Sequence, residues 1–378
     1  MIPCLAPKTA DEAQMARALQ LAAQGKGATA PNPCVGAVLV RDGLIVAEGW
    51  HMRHGEPHAE VNCLADAAAR GVDPTSCTLY VTLEPCNHFG KTPPCTHAVL
   101  AAGIKRVVVG CADPNPRVEG GGADFLRSKG VDVTVGVMEQ ACKDMIADFA
   151  VWQFTPRTYN ILKMAATLDG RIASRTCKAA WVSGTQSRAA VHELRTRVDA
   201  VVVGGATLRL DNPQLTVRIE GRSIDRQPLA VVVTSLLPEP GSPFTLLTTR
   251  PDETIFWTDA ANAVSVRAEG LRDKGVRVWE LPSIGEKLDL SAGFTMLRQE
   301  AGCHTTLCEG GGRLAMSLCR LGLMDEFQYF LAPKILGDEM GIPVFSGEVA
   351  ESMEQARRLR LAGIAPSGDD LLLTYRPV

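Results

Sequence analysis

Hydrophobic positions along the chain fall into two successive series of short elements. TADEAQMARALQLAAQG (9–25) has helical spacing: Met15, Leu19 and Ala22 line one face, Thr9 is placed to cap it, Asp11 and Glu12 occupy the first turn, and Gly25 ends it. Two apolar runs follow, VGAVLV (35–40) and LIVAEGW (44–50), joined by Arg41-Asp42-Gly43, and an Asp-Gly between such runs predicts a β-hairpin. PHAEVNCLADAAA (57–69) is an alanine-rich helical stretch opened by His58 and stopped near Gly71. TLYVT (78–82), KRVVVG (105–110) and VDVTVG (131–136) read as strands, separated by helices near 96–102 and 122–129. A helix near 138–152 carrying Met145, Phe149 and Trp152 closes the series, which has the pattern of a three-layer α/β domain.

At Thr155-Pro156-Arg157 the pattern resets. Tyr159–Thr167 predicts a strand, a helix near 185–197 leads to DAVVVGG (199–205), and LAVVVTS (229–235) and TIFWT (254–258) follow as strands. A helix near 288–301 precedes TTLCEGG (305–311), a helix over 312–321 comes next, and EFQYFLAP (326–333) and LLLTYRP (371–377) are late strands. Residues 236–243, rich in Pro and Gly, predict a surface loop. Two domains are therefore expected, 1–152 and 156–378.

Composition narrows the function classes. With 39 basic against 42 acidic residues the net charge is −3 and no dense Lys/Arg run exists, which argues against a nucleic-acid groove. No apolar run approaches membrane-spanning length, and MIPCLAPKTADEAQ has no apolar core of the signal-peptide kind. The 12 cysteines are scattered, and no two stand as Cys-x-x-Cys. A reduced cytoplasmic protein is expected, in which most cysteines are small buried apolar residues and a few are ligands.

His58 and Glu60 acquire meaning from TLEPCNHFGKTPPC (82–95). Cys86 follows Glu-Pro at a strand end, and Cys95 directly precedes a helix, where the positive helix end favours thiolate. One imidazole and two thiolates are the three protein ligands of a catalytic zinc site. Glu60, two residues from His58, is placed to shuttle a proton from an attacking water to a leaving amine. Zinc nucleobase deaminases carry His-x-Glu followed by Pro-Cys-x-x-Cys; here eight residues separate the two cysteines. Gly90-Lys91-Thr92 imitates the end of a P-loop, but Pro85 stands where its first glycine belongs.

HAE together with LEPC-N-H-FGKTPPC resembles the deaminase half of the RibD family of bacterial riboflavin-biosynthesis proteins, and PNP (31–33), GAVLV (36–40) and DPNP (113–116) are similar to further blocks of that family. The resemblance implies a cytidine-deaminase-like α/β/α fold. It also implies that Lys91 neutralises a ribose phosphate while Asn32, His51, His88, Asp113 and Asn115 contact the pyrimidine and sugar.

In the second half no G-x-G-x-x-G is present, and His192-Glu193 begins no zincin motif because Thr196 replaces the second His. Cys308-Glu309-Gly310-Gly311-Gly312-Arg313 opens a helix with glycines that let backbone N–H groups approach a phosphate. With KMAATLDGRIA (163–173), ATLRLDNPQLTVR (206–218) and APKILG (332–337), this block is similar to the reductase half of the same family. That half implies a dihydrofolate-reductase-like α/β fold using NADPH. By position, Ala165, Trp181, Thr207, Asp211, Ser235 and Gly311, Gly312, Arg313, Leu314, Ala315, Met316 and Ser317 fall in cofactor-binding blocks. Arg195, Leu215, Arg218 and Glu309 fall at substrate positions, and two guanidinium forks suit a phosphorylated sugar. One departure is Ala179, two residues before Trp181, where the family usually has Ser; either a neighbour such as Ser183 substitutes or substrate binding in this half is weaker.

The expected protein is a bifunctional zinc-dependent deaminase and NADPH-dependent reductase, one zinc per chain, acting on a small phosphorylated pyrimidine. No nucleic-acid or membrane partner is expected, and the homo-oligomeric state is left open. Two rivals stand at this point. One is a polynucleotide or tRNA base deaminase with an accessory domain; the other is a zinc-stabilised nucleotide-binding module with a fourth protein ligand.

Overall fold

The computed structural model describes residues 9–89, 93–115, 121–176, 182–285, 287–347 and 350–378. Chain contacts divide it into two compact units, one within Pro3–Thr155 and the other within Pro156–Val378.

The first unit is a five-stranded sheet in the order β2-β1-β3-β4-β5: β1 (Gly36–Arg41), β2 (Leu44–Trp50), β3 (Thr78–Leu83), β4 (Arg106–Cys111) and β5 (Asp132–Val135). The hairpin β1/β2 is antiparallel, β1 also runs antiparallel to β3, and β3, β4 and β5 are parallel. Helix α1 (Ala10–Ala22) begins at Thr9 with a capping box, since the Thr9 hydroxyl accepts from the Glu12 N–H and the Glu12 carboxylate from the Thr9 N–H. Its buried residues are Met15, Ala18, Leu21 and Ala22; Leu19 is only half-buried, and Gly25 ends a 3₁₀ turn beyond the helix. Helix α2 (Ala59–Ala69) covers the opposite face, followed there by α3 (Cys95–Ala101) and α4 (Gly122–Ser128).

Two glycines let these helices sit directly on the hairpin. A Cβ on Gly36 would lie 2.0 Å from the Ala18 carbonyl oxygen of α1, and one on Gly49 would lie 2.3 Å from the Cys63 nitrogen of α2. Backbone cannot give way as a flexible side chain can, so Gly36→Ala is expected to destabilise this unit by about 1–3 kcal/mol. Denaturant unfolding checks it; an unchanged midpoint would show that α1 does not rest on the sheet there.

The helix expected near 138–152 is two helices, α5 (Glu139–Met145) and α6 (Ala147–Phe154), broken at Ile146 with φ −106° and ψ 18°. After the break, α6 buries Phe149 and Trp152, and its Asp148 carboxylate pairs with Lys26 at 2.6 Å.

The second unit is built on a nine-stranded sheet. Its order is Arg277–Glu280, Thr254–Thr258, Leu229–Val233, Ala200–Gly204, Thr305–Cys308, Tyr159–Ala166, Glu326–Leu331, Asp370–Pro377, Leu359–Ser367. The first seven are mutually parallel, and the last two join antiparallel. Leu162, Met164 and Ala166 of the strand Tyr159–Ala166 face a core with Trp257, Phe294 and Leu318; the Trp257 and Phe294 rings meet edge to face at 5.2 Å. Lys163 and Ala165 alternate with these residues and so share the other face. The strands Arg277–Glu280 and Leu359–Ser367 and the short helix Gly205–Asp211 were not anticipated from the apolar pattern. No helix among the described residues is long and apolar enough to cross a membrane.

Candidate active sites

In the first unit, two chain turns meet at one point. His58 is the N-cap of α2, with extended backbone and no side-chain cap hydrogen bond, and Glu60 lies buried in the first turn. Opposite, the chain leaves β3 through Glu84-Pro85-Cys86 and re-enters at α3, which starts on Cys95. The two cysteines are tied together by the Cys95 N–H donating to Cys86 Sγ at 3.3 Å and the Thr96 N–H donating to the Cys86 carbonyl at 3.2 Å. That closure brings the two sulfurs together without a Cys-x-x-Cys spacing.

His58 Nδ1 lies 3.2 Å from Cys95 Sγ and 3.6 Å from Cys86 Sγ, and the three donor atoms all fall within 4.8 Å of one another. Tetrahedral zinc with its usual bond lengths sets nitrogen and sulfur about 3.6 Å apart and two sulfurs about 3.8 Å apart. The donor set fits that metal. Among the described residues no fourth His, Cys, Asp or Glu joins the cluster.

The electrostatics suit a cation. The hydrogen bond from the Cys95 thiol, with help from His58 and the Cys95 N–H, lowers the Cys86 thiol to about 4. Its partner Cys95 is pushed up, first by that same hydrogen bond and then by burial. A dication favours thiolate at both. The His58 imidazole is raised mainly by its hydrogen bond with Cys86, and burial pushes the Glu60 carboxyl up. Glu60 also lies within hydrogen-bonding reach of Cys95.

His58, Glu60 and Cys86 line a cavity of about 390 Å³. Asn32, His51, His88, Asp113 and Asn115 all line it, whereas Lys91 lies outside the described residues. His51 is 2 % exposed. Its Nδ1–H donates to the Pro57 carbonyl (3.1 Å) and its Nε2 accepts from Asn32 Nδ2 (3.2 Å). Burial lowers the His51 pKa, in keeping with this neutral tautomer. Asp113 accepts from the Asn115 N–H at 2.8 Å, and burial raises its carboxyl.

Sequence reasoning missed His54, Glu84, Phe149 and Gln153, which line the same cavity. Glu84 takes the Asp113 N–H (3.2 Å) and the Ala123 N–H (2.9 Å), and so ties the Asp113 loop to the end of β3. Its place in LEPC was a signal; Phe149 and Gln153 gave none, because they arrive only through the helix break at Ile146.

In the second unit the implicated residues gather at the carboxyl ends of parallel strands, where open α/β sheets bind their ligands. Ala165 lies near the end of Tyr159–Ala166, Thr207 and Asp211 lie on Gly205–Asp211, and Ser235 lies just beyond Leu229–Val233. Gly311 caps the helix Gly312–Arg320, which carries Arg313, Leu314, Ala315, Met316 and Ser317. A Cβ on Gly312 would lie 2.5 Å from the Pro343 carbonyl, whereas one on Gly311 would meet nothing within 4 Å, leaving that face of the turn open. Ala315 is buried in the core, and the half-buried Leu314 packs against it. Trp181 and Ala179 lie outside the described residues.

Glu309 follows the strand Thr305–Cys308 and forms a bidentate pair with Arg195, 3.0 Å from Nε and 2.8 Å from Nη2. The third Arg195 contact is from Nη1 to the Thr216 carbonyl at 2.7 Å. The Arg195 fork is thus engaged within the protein. Arg218 is exposed; its Nη1 contacts Gln214 Oε1 and Thr216 Oγ1. Leu215 is buried with φ +54°. Lys163, which the sequence did not single out, feels both Glu309 and Arg195, and burial lowers its ammonium pKa.

Comparison with known proteins agrees with both halves. Residues 8–111 match the cytidine and deoxycytidylate deaminase zinc-binding region, and residues 158–373 match the RibD C-terminal domain. The chain is 39% identical to riboflavin biosynthesis protein RibD of Aquifex aeolicus, over 97% of this chain and 98% of that protein. The chain belongs to the RibD family. It is 37% identical to the RibD protein of Escherichia coli over 96% of this chain and 98% of that one. Among solved RibD structures, the diaminohydroxyphosphoribosylaminopyrimidine deaminase/5-amino-6-(5-phosphoribosylamino)uracil reductase of Thermotoga maritima superposes with TM-score 0.77. It is 34% identical and matches over 98% of this chain and 99% of that one. As a RibD family member the chain is a bifunctional deaminase and reductase of riboflavin biosynthesis. Its family domains imply zinc in the first half and a nicotinamide cofactor in the second.

Proposed function

We propose that the first unit hydrolytically deaminates 2,5-diamino-6-(5-phosphoribosylamino)pyrimidin-4-one. The second unit then reduces the ribosyl side chain of 5-amino-6-(5-phosphoribosylamino)uracil to ribityl. His58, Cys86 and Cys95 hold one zinc ion, which when bound lowers the pKa of a water molecule toward neutrality. Glu60 takes a proton from the attacking water as its oxygen bonds to the amine-bearing carbon, and returns a proton to the amine nitrogen, which leaves as ammonia. Asn32, held by His51, orients the pyrimidine; Asp113 and Asn115 meet ring and sugar; His88 and Lys91 serve the rim and the phosphate.

In the second unit a bound NADPH would supply the hydride that C1′ of the open-chain imine takes up, its C=N bond becoming C–N as the nitrogen takes a proton from solvent. Ala165, Trp181, Thr207, Asp211, Ser235 and 311–317 hold the cofactor. Leu215 and Arg218 hold the substrate, with Arg195 and Glu309 fixing the pocket wall behind them. Such a transfer depends chiefly on orientation and a dry pocket. The reading places both reactions in the cytoplasm, on a free phosphorylated pyrimidine rather than on nucleic acid, and leaves room for a homo-oligomer.

The observation that carries the reading is the convergence of His58, Cys86 and Cys95 donor atoms within 4.8 Å, beside a buried Glu60. Elemental analysis tests it. Wild-type protein is expected to hold about one zinc per chain and Cys95→Ser to lose most of it, with deamination, while NADPH-dependent reduction persists. Full zinc retention in Cys95→Ser would remove Cys95 from the ligand set.

A further inference from the structure

Residues 214–218, which belong to no helix or strand, are held by side chains reaching in from elsewhere. Arg250, 5 % exposed, donates from Nη1 to the Gln214 and Leu215 carbonyls, 3.2 Å each, and from Nη2 to the Pro228 carbonyl. Arg195 holds the Thr216 carbonyl. The Gln227 amide takes both polar groups of Val217, accepting from its N–H at 2.7 Å and donating to its carbonyl at 3.2 Å. His192 Nδ1 accepts the Arg218 N–H at 3.1 Å. Such backbone groups would otherwise compete for water, so the clamp replaces a sheet ladder and fixes a segment that contains a left-handed Leu215.

Of the four clamping side chains, only His192 touches Arg218 itself. A backbone N–H can only donate, so His192 Nδ1 must carry a lone pair at that contact. The charged groups around the ring are Arg195 on its own helix, Arg218 on the clamped segment, and Glu309 at the end of the strand Thr305–Cys308. Two guanidinium groups against one carboxylate oppose a third positive charge. Burial together with those two cations lowers the His192 pKa, and a backbone hydrogen bond with Thr216 and the Glu309 charge act the other way.

We propose that His192 is a positioning residue for reduction: in its neutral form it fixes the Arg218 backbone, and so aims the Arg218 guanidinium at the phosphate of the ribosylamino substrate. This rests on Arg218 being the phosphate-holding residue. Protonation removes the lone pair, frees the Arg218 N–H and adds a cation beside Arg195. Substrate hold therefore weakens as pH falls below the ordinary histidine value.

The test is steady-state reduction of supplied deaminated substrate by the full-length, zinc-loaded protein with NADPH, at pH 5.5 to 8. His192→Leu is expected to raise KM about three- to tenfold with kcat little changed, the effect of one lost hydrogen bond. His192→Asn, which keeps an acceptor near the Nδ1 position but cannot titrate, is expected to recover most of that loss. The substrate phosphate itself ionises near pH 6, so the signal is the difference between two profiles. Wild-type KM is expected to rise more steeply toward low pH than that of His192→Asn. A double variant with Arg218→Ala should be no worse than Arg218→Ala alone. Additive losses, an unchanged KM in His192→Leu, or superimposable pH profiles would overturn the proposal while leaving Arg218 in place. An unchanged KM in Arg218→Ala would instead overturn the phosphate-holding reading, and the proposal with it.

Discussion

Glu60→Gln protein is expected to retain its zinc and its melting temperature while its deamination rate falls by about 10²–10⁴-fold, the usual contribution of a general acid–base group. The substitution keeps the shape of a side chain that is 3 % exposed in the first turn of α2, and it removes no member of the His58, Cys86 and Cys95 cluster. It even lightens a desolvation burden, because burial already penalises the Glu60 carboxylate. What it removes is the only carboxylate beside the three donor atoms that lines the cavity from α2. Zinc content, calorimetry and both half-reactions on one preparation make the check. Reduction of supplied deaminated substrate should proceed at the wild-type rate, since no residue assigned to it lies in the first unit. Loss of both activities in folded, zinc-loaded protein would couple the two chemistries or remove Glu60 from its role. Loss of neither would make the metal cluster structural.

The parts of this molecule that could be read beforehand share a physical cause. His58, Glu60, Cys86 and Cys95 are chemically distinctive residues at element boundaries, where strand ends and helix starts announce themselves through Pro, Gly and a change of period. The strands Thr254–Thr258 and Ala200–Gly204 were legible because both faces are covered and the apolar run is unbroken. Leu359–Ser367 was not, because as an edge strand it is nowhere fully buried and its sequence, LRLAGIAPS, carries Gly and Pro. The break at Ile146 had no Gly or Pro to mark it, and with it went Phe149 and Gln153 as cavity residues. The clamp on 214–218 is equally silent in sequence: Arg250, Gln227 and His192 are polar residues far apart in the chain, and only folding shows that their partners are backbone groups. Arg195 is the instructive case. On a helix with many charged neighbours it suggests either a solvated ion pair or a phosphate fork, and in the fold it is 9 % exposed with its fork closed on Glu309.

That closure predicts the second large effect. Breaking a buried ion pair by removing one partner costs about 3–5 kcal/mol, because the charge left behind has lost its solvent and gained nothing. The Arg195–Glu309 side chains are 10% and 13% exposed, so solvent screening offers little relief. The two ends of the pair are not equivalent. Arg195→Met leaves Glu309 with Lys163 as a neighbouring cation, whereas Glu309→Gln leaves Lys163 and Arg195 facing one another with no anion between them. Glu309→Gln is therefore expected to be the more damaging, and a loss of that size lowers the melting temperature of a unit this large by roughly 6–20 °C. Reduction should fall with it, because Arg195 also holds the Thr216 carbonyl in the segment proposed to hold the substrate, while zinc content and deamination stay unchanged. The Arg195→Met/Glu309→Gln double variant should recover part of the stability lost by the singles, since no buried charge of that pair then remains unmatched. Calorimetry of the four proteins decides the matter: single variants within about 1 kcal/mol of wild type would return the pair to the rank of an ordinary surface salt bridge.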